Sequence, residues 1–307
     1  MTKYKLIVNP TSGRGFGLKA VPSIKQLLTT SQIDYSVVLT QRPGHAIELA
    51  QQAAEESYDC VVSVGGDGAA NEVLNGLMLA KKILGKSPAM GILGVGRGND
   101  FAYGANIPPG VEAGCQVIVQ NHRRWMDVGC VTGGNYPLGR YFGNGIGIGF
   151  DAVVGFEAVK ITWLSGFPSY IVATLKTIFL YFRAPLIKIG IDQQSSELSP
   201  LMVSIMNGRR MGGGFMMAPD AKNDDGLLNL CIANQVSRGR IFTLIPHFMR
   251  GTQATQKEIR MLSAKKVIVE ALKGSLPAHA DGETLCTEGQ RLDVEILPKQ
   301  IEMICLP

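Results

Sequence analysis

The sequence predicts an α/β plus β protein, with an N-terminal parallel α/β domain followed by a C-terminal, mainly antiparallel β-sandwich domain. Strand and helix signals alternate with short connections over about the first 120 residues, which is the pattern of βαβ units. After about Trp125 the texture changes to strand-like runs with more glycine and fewer helices. A chain of 307 residues is long for one domain and short for three. The expected domains are 1–125 and 126–296, with segment 297–307 returning as a strand to complete the first.

In the first domain the strands are YKLIVN (4–9), DYSVVLT (34–40), DCVVSV (59–64) and AMGILGV (89–95). Between them LKAVPSIKQLLTT (18–30), GHAIELAQQAAEE (44–56), NEVLNGLMLAKK (71–82) and VEAGCQVIVQ (111–120) have helical character; Ala46, Leu49, Ala50 and Ala53 show the spacing. In the second domain RWMDVGCVT, RYFGNGIGIG, PLIKIGID, PLMVSIMN, LLNLCIAN, KVIVEA and RLDVEIL read as strands. Two helical inserts are expected there, one over about Ser169 to Arg183 and one starting at the N-cap residue Ser237, with Ile241, Leu244, Ile245 and Phe248 on one face.

Residues 161–182 are nearly long enough to cross a bilayer but contain Pro168, Lys176 and several hydroxyls. A buried helix, a helix lying on a membrane surface and a spanning helix all remain open for this segment. Composition is that of a globular protein, 46% hydrophobic and 18% charged, and the 37 glycines signal many tight turns. A net charge of +5 without a dense Lys/Arg run excludes a nucleic-acid footprint. The six cysteines are scattered, and His45, His122, His247 and His279 lack metal-ligand spacing, so reduced thiols in a cytoplasmic protein are expected.

Three glycine-rich turns follow three of the strands: Asn9-Pro10-Thr11-Ser12-Gly13, Gly65-Gly66-Asp67-Gly68 and Gly94-Val95-Gly96-Arg97-Gly98-Asn99-Asp100. Turns after parallel strands present backbone N–H groups and helix N-termini at one sheet edge, which suits phosphate. GGDG alone is weak, and its spacing departs from the dinucleotide GxGxxG rule. Later, His279-Ala280-Asp281-Gly282-Glu283 fits either a solvated hairpin turn or a carboxylate placed for chemistry, and Asp224-Asp225-Gly226 is a second acidic turn.

NPTSG, GGDGAANEVLNG, GRGNDFA, APDAKNDDGLLNL and HADGE occur in an order and spacing that resembles the diacylglycerol kinase catalytic-domain family, which includes bacterial soluble lipid kinases and sphingosine kinases. The resemblance spans most of the chain. GGDG is shared with NAD kinases, whereas PDAKNDDGLLNL with a terminal DGE points to the lipid kinases. It implies an NAD kinase/diacylglycerol kinase-like fold, with ATP in the N-terminal domain and a lipid hydroxyl presented by the C-terminal one.

By matching position, the resemblance implies nucleotide contacts from Asn9, Pro10, Thr11, Ser12, Gly13, Thr40, Gly65, Gly66, Asp67, Gly68, Ala69, Ala70, Asn71, Glu72, Arg97 and Asn99, with Asp100 supporting the same edge. It makes Asp67 an organiser of Mg2+ and phosphate oxygens. Asp281 becomes the general base, with Glu283 orienting it or a metal. It further implies a structural Mg2+ at the side chain of Asp225 and the carbonyls of Lys222 and Leu227.

Two departures stand out: the family usually has threonine where Ala69 and Arg97 stand. A guanidinium binds phosphate through charge-assisted bonds but reaches further than a hydroxyl. An NAD kinase-like or other polar-substrate kinase, and a non-catalytic lipid or nucleotide binder, are the alternative functions. A lipid substrate implies a peripheral membrane location. Candidate membrane-facing residues are Trp163, Phe167 and Tyr170, and Phe215, Met216 and Met217; core packing accounts for both groups equally well. Arg14, Lys19, Lys81 and Lys82 are either solvated surface or steer the chain to anionic lipid. A homodimer is plausible by base rates.

Overall fold

The computed structural model describes residues 2–164, 166–180 and 184–307. The chain forms two compact units, Met1–Val128 with Pro298–Pro307, and Gly129–Leu297. In the first unit the order is β1 (Lys3–Val8), α1 (Ser12–Thr30), β2 (Asp34–Leu39), α2 (His45–Glu55), β3 (Cys60–Gly65), α3 (Asp67–Leu84), β4 (Ala89–Gly94), α4 (Asp100–Gly104) and α5 (Val111–Gln120), with β5 (Arg123–Gly133) leading out.

These strands form a parallel sheet in the order β2-β1-β3-β4. Register aligns Val8 with Val64 and Val64 with Leu93, so β1, β3 and β4 end at one level. Because β1 connects outward to β2 while the chain then crosses back to β3, the strand order switches between β1 and β3. Open α/β sheets bind ligands at the carboxyl ends of strands beside such a switch. The sheet core is nearly continuous Val, Ile and Leu, with Leu6, Val8, Val62, Val64 and Leu93 buried against Ile24, Leu28 and Ile118.

The second unit contains β6 (Tyr136–Phe142), β7 (Gly145–Gly149), α6 (Phe150–Lys160), α7 (Phe167–Leu180), β8 (Leu186–Ile191), β9 (Gln194–Leu198), β10 (Pro200–Met206), β11 (Leu228–Asn234), α8 (Arg238–Arg250), β12 (Ile259–Ala264), β13 (Lys266–Lys273), β14 (Leu276–Ala280), β15 (Glu283–Gly289) and β16 (Arg291–Ile304). One antiparallel sheet has the order β12-β11-β10-β7-β14-β15, and β16, β13, β8 and β9 form an antiparallel layer. Their inner faces share a core that includes Ile146, Ile148, Val203, Ile205, Val267, Val269, Leu292 and Val294. The end of β16 belongs to the first unit, where Met303 pairs in parallel with Met90 of β4.

Several elements differ from expectation. RYFGNGIGIG is two strands broken at Gly143-Asn144, and β9, β12 and β14 went unassigned in the sequence. Helix α6 was also missed, because apolar residues lie on all its sides and leave no periodic stripe. α1 starts earlier than Leu18, but Gly13, Arg14 and Gly15 are left-handed, so its regular part begins only after them. Ser237 does cap α8, its Oγ accepting from Arg240 N at 3.3 Å. The helix expected to reach Arg183 is α7; Arg183, Tyr181, Phe182 and Ser165 lie outside the described residues. No described helix is long and apolar enough to cross a membrane.

Packing of α2 on α3 is set by Gly76, where an added Cβ would fall 2.3 Å from Ile47 O and 2.7 Å from Ala50 Cβ. Gly76→Val should therefore destabilise the first unit by about 1–3 kcal/mol. Chemical denaturation is the check; an unchanged midpoint would contradict this close approach.

Candidate functional site

In the first unit the three glycine turns meet. A Cβ on Gly13 would lie 2.2 Å from Val95 O, and one on Gly96 would lie 2.3 Å from Gly66 Cα. The backbones thus touch where only glycine allows it. Asn9 opens the first turn, its Oδ1 accepting from Thr11 N at 3.1 Å and Thr11 Oγ1 at 2.9 Å. Gly13, Arg14 and Gly15 follow with φ of 57°, 60° and 87°, turning successive amides in a way that favours anions.

Asn99 shapes the third turn: its Oδ1 accepts from Gly96 N at 2.9 Å and its Nδ2 donates to Gly96 O at 3.2 Å. Asp67, in the first turn of α3, accepts from Phe101 N at 2.9 Å and so ties the second turn to the third. Carboxylate oxygens of Asp67 and Asp100 lie 2.9 and 3.1 Å from where a Gly98 Cβ would stand. Half-buried Arg97 makes no hydrogen bond or ion pair with another described residue.

Not every implied contact residue faces this edge. Asn71 is fully buried, its oxygens accepting from Asn75 Nδ2. Glu72 accepts from Gly44 N at 2.8 Å and Ala46 N at 3.1 Å, which caps α2. Thr40 stands at the end of β2, with its N–H on Val8 O. Ala69 packs toward Gly65, whose added Cβ would meet the Ala69 Cβ at 2.4 Å. Lys81 is engaged by Gln300 O at 2.5 Å and lies over the Trp125 ring, and burial lowers its pKa.

In the second unit Asp281 and Gly282 are the two-residue turn of the β14–β15 hairpin, with φ of 47° and 87°. The hairpin reading was correct, but the turn is not solvated. Asp281 is only 4% exposed. Its Oδ2 accepts from Gly143 N at 2.7 Å, and its Oδ1 from Asn144 N at 3.0 Å and Gly145 N at 2.9 Å. Glu283 begins β15 and is half-buried.

Two residues before Asp281, the buried His279 ring fills space left by glycines. An added Cβ on Gly147 would lie 2.7 Å from its Nε2 and 2.8 Å from Asp151 Oδ2. Ser204 Oγ donates to Asp151 Oδ2 at 2.7 Å. Burial pushes the Asp151 carboxyl up, opposed by the His279 charge and the Ser204 hydrogen bond. Asp151 is on the wall of a pocket of about 70 Å³ that is otherwise almost wholly apolar, including Phe150, Val154, Leu201, Met202 and Phe248. Phe215 and Met217 line it too, so they pack inward, with Phe215 edge-on to Phe167 at 5.2 Å. Sequence reading missed Asp151, Ser204 and the pocket.

Asp225 is exposed, and its Oδ1 accepts from Leu227 N at 3.0 Å in a tight turn where Gly226 has φ of 74°. Lys222 is exposed beside it. Among the described residues no group of three or more His, Cys, Asp or Glu side chains is set to hold a metal. The cysteines are free thiols, and burial pushes Cys60 and Cys115 up to about 11 and Cys231 to about 12. Those three are therefore not poised as nucleophiles.

Residues 3–131 match the diacylglycerol kinase catalytic domain, and residues 144–305 match the YegS C-terminal NAD kinase beta sandwich-like domain. The chain belongs to the diacylglycerol kinase catalytic-domain family. It is 27% identical over 287 residues to a Mycobacterium tuberculosis diacylglycerol kinase, covering 92% of this chain and 89% of that one. A Staphylococcus saprophyticus diacylglycerol kinase is 28% identical over 285 residues, covering 92% and 88%. A crystal structure of a candidate diacylglycerol kinase from Bacillus anthracis strain Sterne has a TM-score of 0.80 at 25% identity, covering 99% and 95%. Yeast NADH kinase shares the fold at a TM-score of 0.52 and 11% identity, covering 100% and 84%. The family and the NAD kinase-like fold mark the chain as a kinase.

Asp281→Asn places an amide NH2 among three backbone donors. It should cost about 1–3 kcal/mol of stability through a lost acceptor. Thermal unfolding reads this, and an unaltered melting temperature would show that the cradle contributes little.

Proposed function

We propose that this kinase moves the γ-phosphoryl group of ATP to the hydroxyl of a diacylglycerol-like or sphingoid lipid. The first unit is the nucleotide domain and the second the lipid domain. One observation favours a lipid over a polar acceptor: the second unit encloses an apolar pocket with one carboxylate, Asp151, on its wall. An NAD-sized polar acceptor has little to bind on such a surface.

In this reading the backbone of Asn9 to Gly13 and of Gly65 to Ala70 cradles the phosphates, aided by Ser12, Thr40, Arg97 and Asn99. Asn71 and Glu72 support that edge from behind, through Asn75 and the α2 N-terminus. The Asp67 and Asp100 carboxylates, both beside Gly98, would suit Mg2+, which takes one or two carboxylates alongside substrate phosphates. When bound there it would neutralise phosphate charge. Asp225, with the Lys222 and Leu227 carbonyls, is an all-oxygen set suited to a second, structural Mg2+.

Asp281 is the general base. As the acceptor oxygen bonds to the γ-phosphorus, its O–H bond breaks, its proton passes to the Asp281 carboxylate, and the bond from phosphorus to ADP breaks. The three amides from Gly143 to Gly145 hold that carboxylate in one orientation. Glu283 follows it on the same hairpin and would orient it, while the His279 ring faces Gly147 and Asp151. In the pocket, Asp151 would meet the polar group next to the acceptor hydroxyl, while Phe150, Val154 and Leu201 would meet the first apolar atoms beyond it.

The test is transfer of labelled γ-phosphate from ATP with Mg2+ to diacylglycerol, sphingosine, ceramide, monoacylglycerol and NAD. A labelled lipid is the expected result. Labelled NAD would move the chain to the polar-substrate kinases, and no product despite bound ATP would make it a non-catalytic binder. Arg97→Ala should raise KM for ATP by about tenfold, the loss of one charge-assisted contact. An unchanged KM would remove Arg97 from the phosphate site.

A further inference from the structure

Helix α7 is amphipathic the wrong way round for a helix that meets water. Toward the protein it turns Ser169, Ala173, Thr174 and Thr177, with Ile178 the one large apolar residue fully buried. Outward it turns Pro168, Leu175, Lys176, Phe179 and Leu180, with Ile171 half-buried, while half-buried Tyr170 and Val172 pack against the core. Positions 168, 171, 175 and 179 recur every three or four residues and so form one stripe. A surface helix in water carries its apolar stripe inward.

The buried hydroxyls need nothing from outside the helix. Ser169 Oγ donates to Gly166 O at 2.7 Å, Thr174 Oγ1 to Tyr170 O at 2.7 Å, and Thr177 Oγ1 to Ala173 O at 2.8 Å. Small, self-satisfied residues let the middle of α7 seat closely on the unit, beside Phe167, Tyr170 and Val172, while Leu175, Phe179 and Leu180 stay outside. Phe179 is 65% exposed, and the apolar exposure continues before α7, where Trp163 is 71% exposed and Val159 at the end of α6 is also exposed.

The exposed charges on this stretch have one sign. Residues 150–180 contain two acids, Asp151 and Glu157. Asp151 lines the pocket, and Glu157 is buried, where Lys160 and Lys176 bind it at 2.6 and 2.5 Å. Those hydrogen bonds hold the Glu157 carboxyl below the usual range. The exposed charged groups are therefore the two lysines, and Arg238 adds a third cation, lying over the Phe179 ring and donating to Ile178 O at 3.2 Å. Exposed apolar and aromatic side chains rimmed by cations complement an anionic bilayer surface. At 14 residues α7 is about 21 Å long, too short to cross and suited to lying in the interface.

We propose that the outer face of α7, extended by Val159 and Trp163, is a docking surface for an anionic phospholipid bilayer. This rests on the lipid-kinase reading for its purpose: the inner sides of α6 and α7 contribute Phe150, Asp151, Val154 and Thr174 to the apolar pocket, so docking sets that pocket beside the lipid it takes from the membrane.

The test uses the full chain, wild type and the Leu175→Gln/Phe179→Gln double variant, with Trp163→Gln as a second, separate variant. Flotation with phosphatidylcholine vesicles, with and without phosphatidylglycerol, reads the surface alone. Transfer to a short-chain, water-soluble diacylglycerol reads the kinase alone, and transfer to a long-chain one in vesicles reads both. Wild type should float, better with phosphatidylglycerol. The double variant should lose more than about tenfold in vesicle binding and in vesicle-borne turnover, with soluble turnover unchanged, because two large side chains no longer leave water. Equal flotation of wild type and both variants overturns the surface. So does a wild-type dimer that the variants make monomeric, with no flotation, which would assign the face to a second copy. Normal flotation with no transfer to either acceptor overturns the kinase reading and leaves the docking surface standing.

Discussion

The Asp281 carboxylate and the three consecutive amides of Gly143, Asn144 and Gly145 hold the second unit's central strands in their arrangement. A buried carboxylate is tolerable only when donors replace its water, and three N–H groups on neighbouring residues can converge only where a strand breaks. The break between β6 and β7 is that place. It is held open in turn by buried asparagines: Asn207 Nδ2 donates to Gly143 O at 2.9 Å, and the amides of Asn207 and Gly208 reach Asn144 O. The hairpin β14–β15 is therefore fixed to β7 by its turn as well as by its ladder, since Asp281 N also donates to Gly145 O at 3.0 Å. Rigidity at this turn and the glycine-lined slot for His279 arise from the same tight packing.

In the first unit, contact between glycines has the corresponding role. Gly66 and Gly96 pack Cα against backbone, and Gly13 packs against Val95 O, so no side chain separates the three turns. Their polar residues split into two kinds. Asn9, Asn99 and Asp67 spend side-chain acceptors on local amides and thereby set the shape of the edge. Arg97 spends none of its donors on a described neighbour.

Much of this was legible in the sequence because it lies in local chemistry. Apolar runs ending in glycine located β1, β3 and β4 and their turns, and Asp-Gly before a strand located the hairpin. What escaped depends on residues far apart in the chain. Burial of Asp281 comes from amides 136 to 138 positions away, and Asp151 gains its meaning from Ser204 and His279. Glu72 looked like part of the GGDG turn only by adjacency; one helical turn carries its carboxylate to the start of α2. Which side of α7 meets the protein stayed open in the sequence, because hydropathy counts apolar residues without saying which side they face.

Ala69 and Arg97 together change the kind of phosphate recognition that the proposed function requires. Residue 69 sits with its Cβ against Gly65, at the N-terminal turn of α3, so a branched hydroxyl residue would project from a site already in contact with the strand end. With alanine there, the second turn would offer a phosphate directly only its amides and the helix dipole, Asp67 requiring a cation between. Those act at short range and on any anion. The added guanidinium at Arg97 supplies charge instead of a fixed hydroxyl, and charge acts over a distance set by ionic strength. In the proposed function, a phosphate site with one cation in place of two hydroxyls would depend more on salt and less on exact ligand shape.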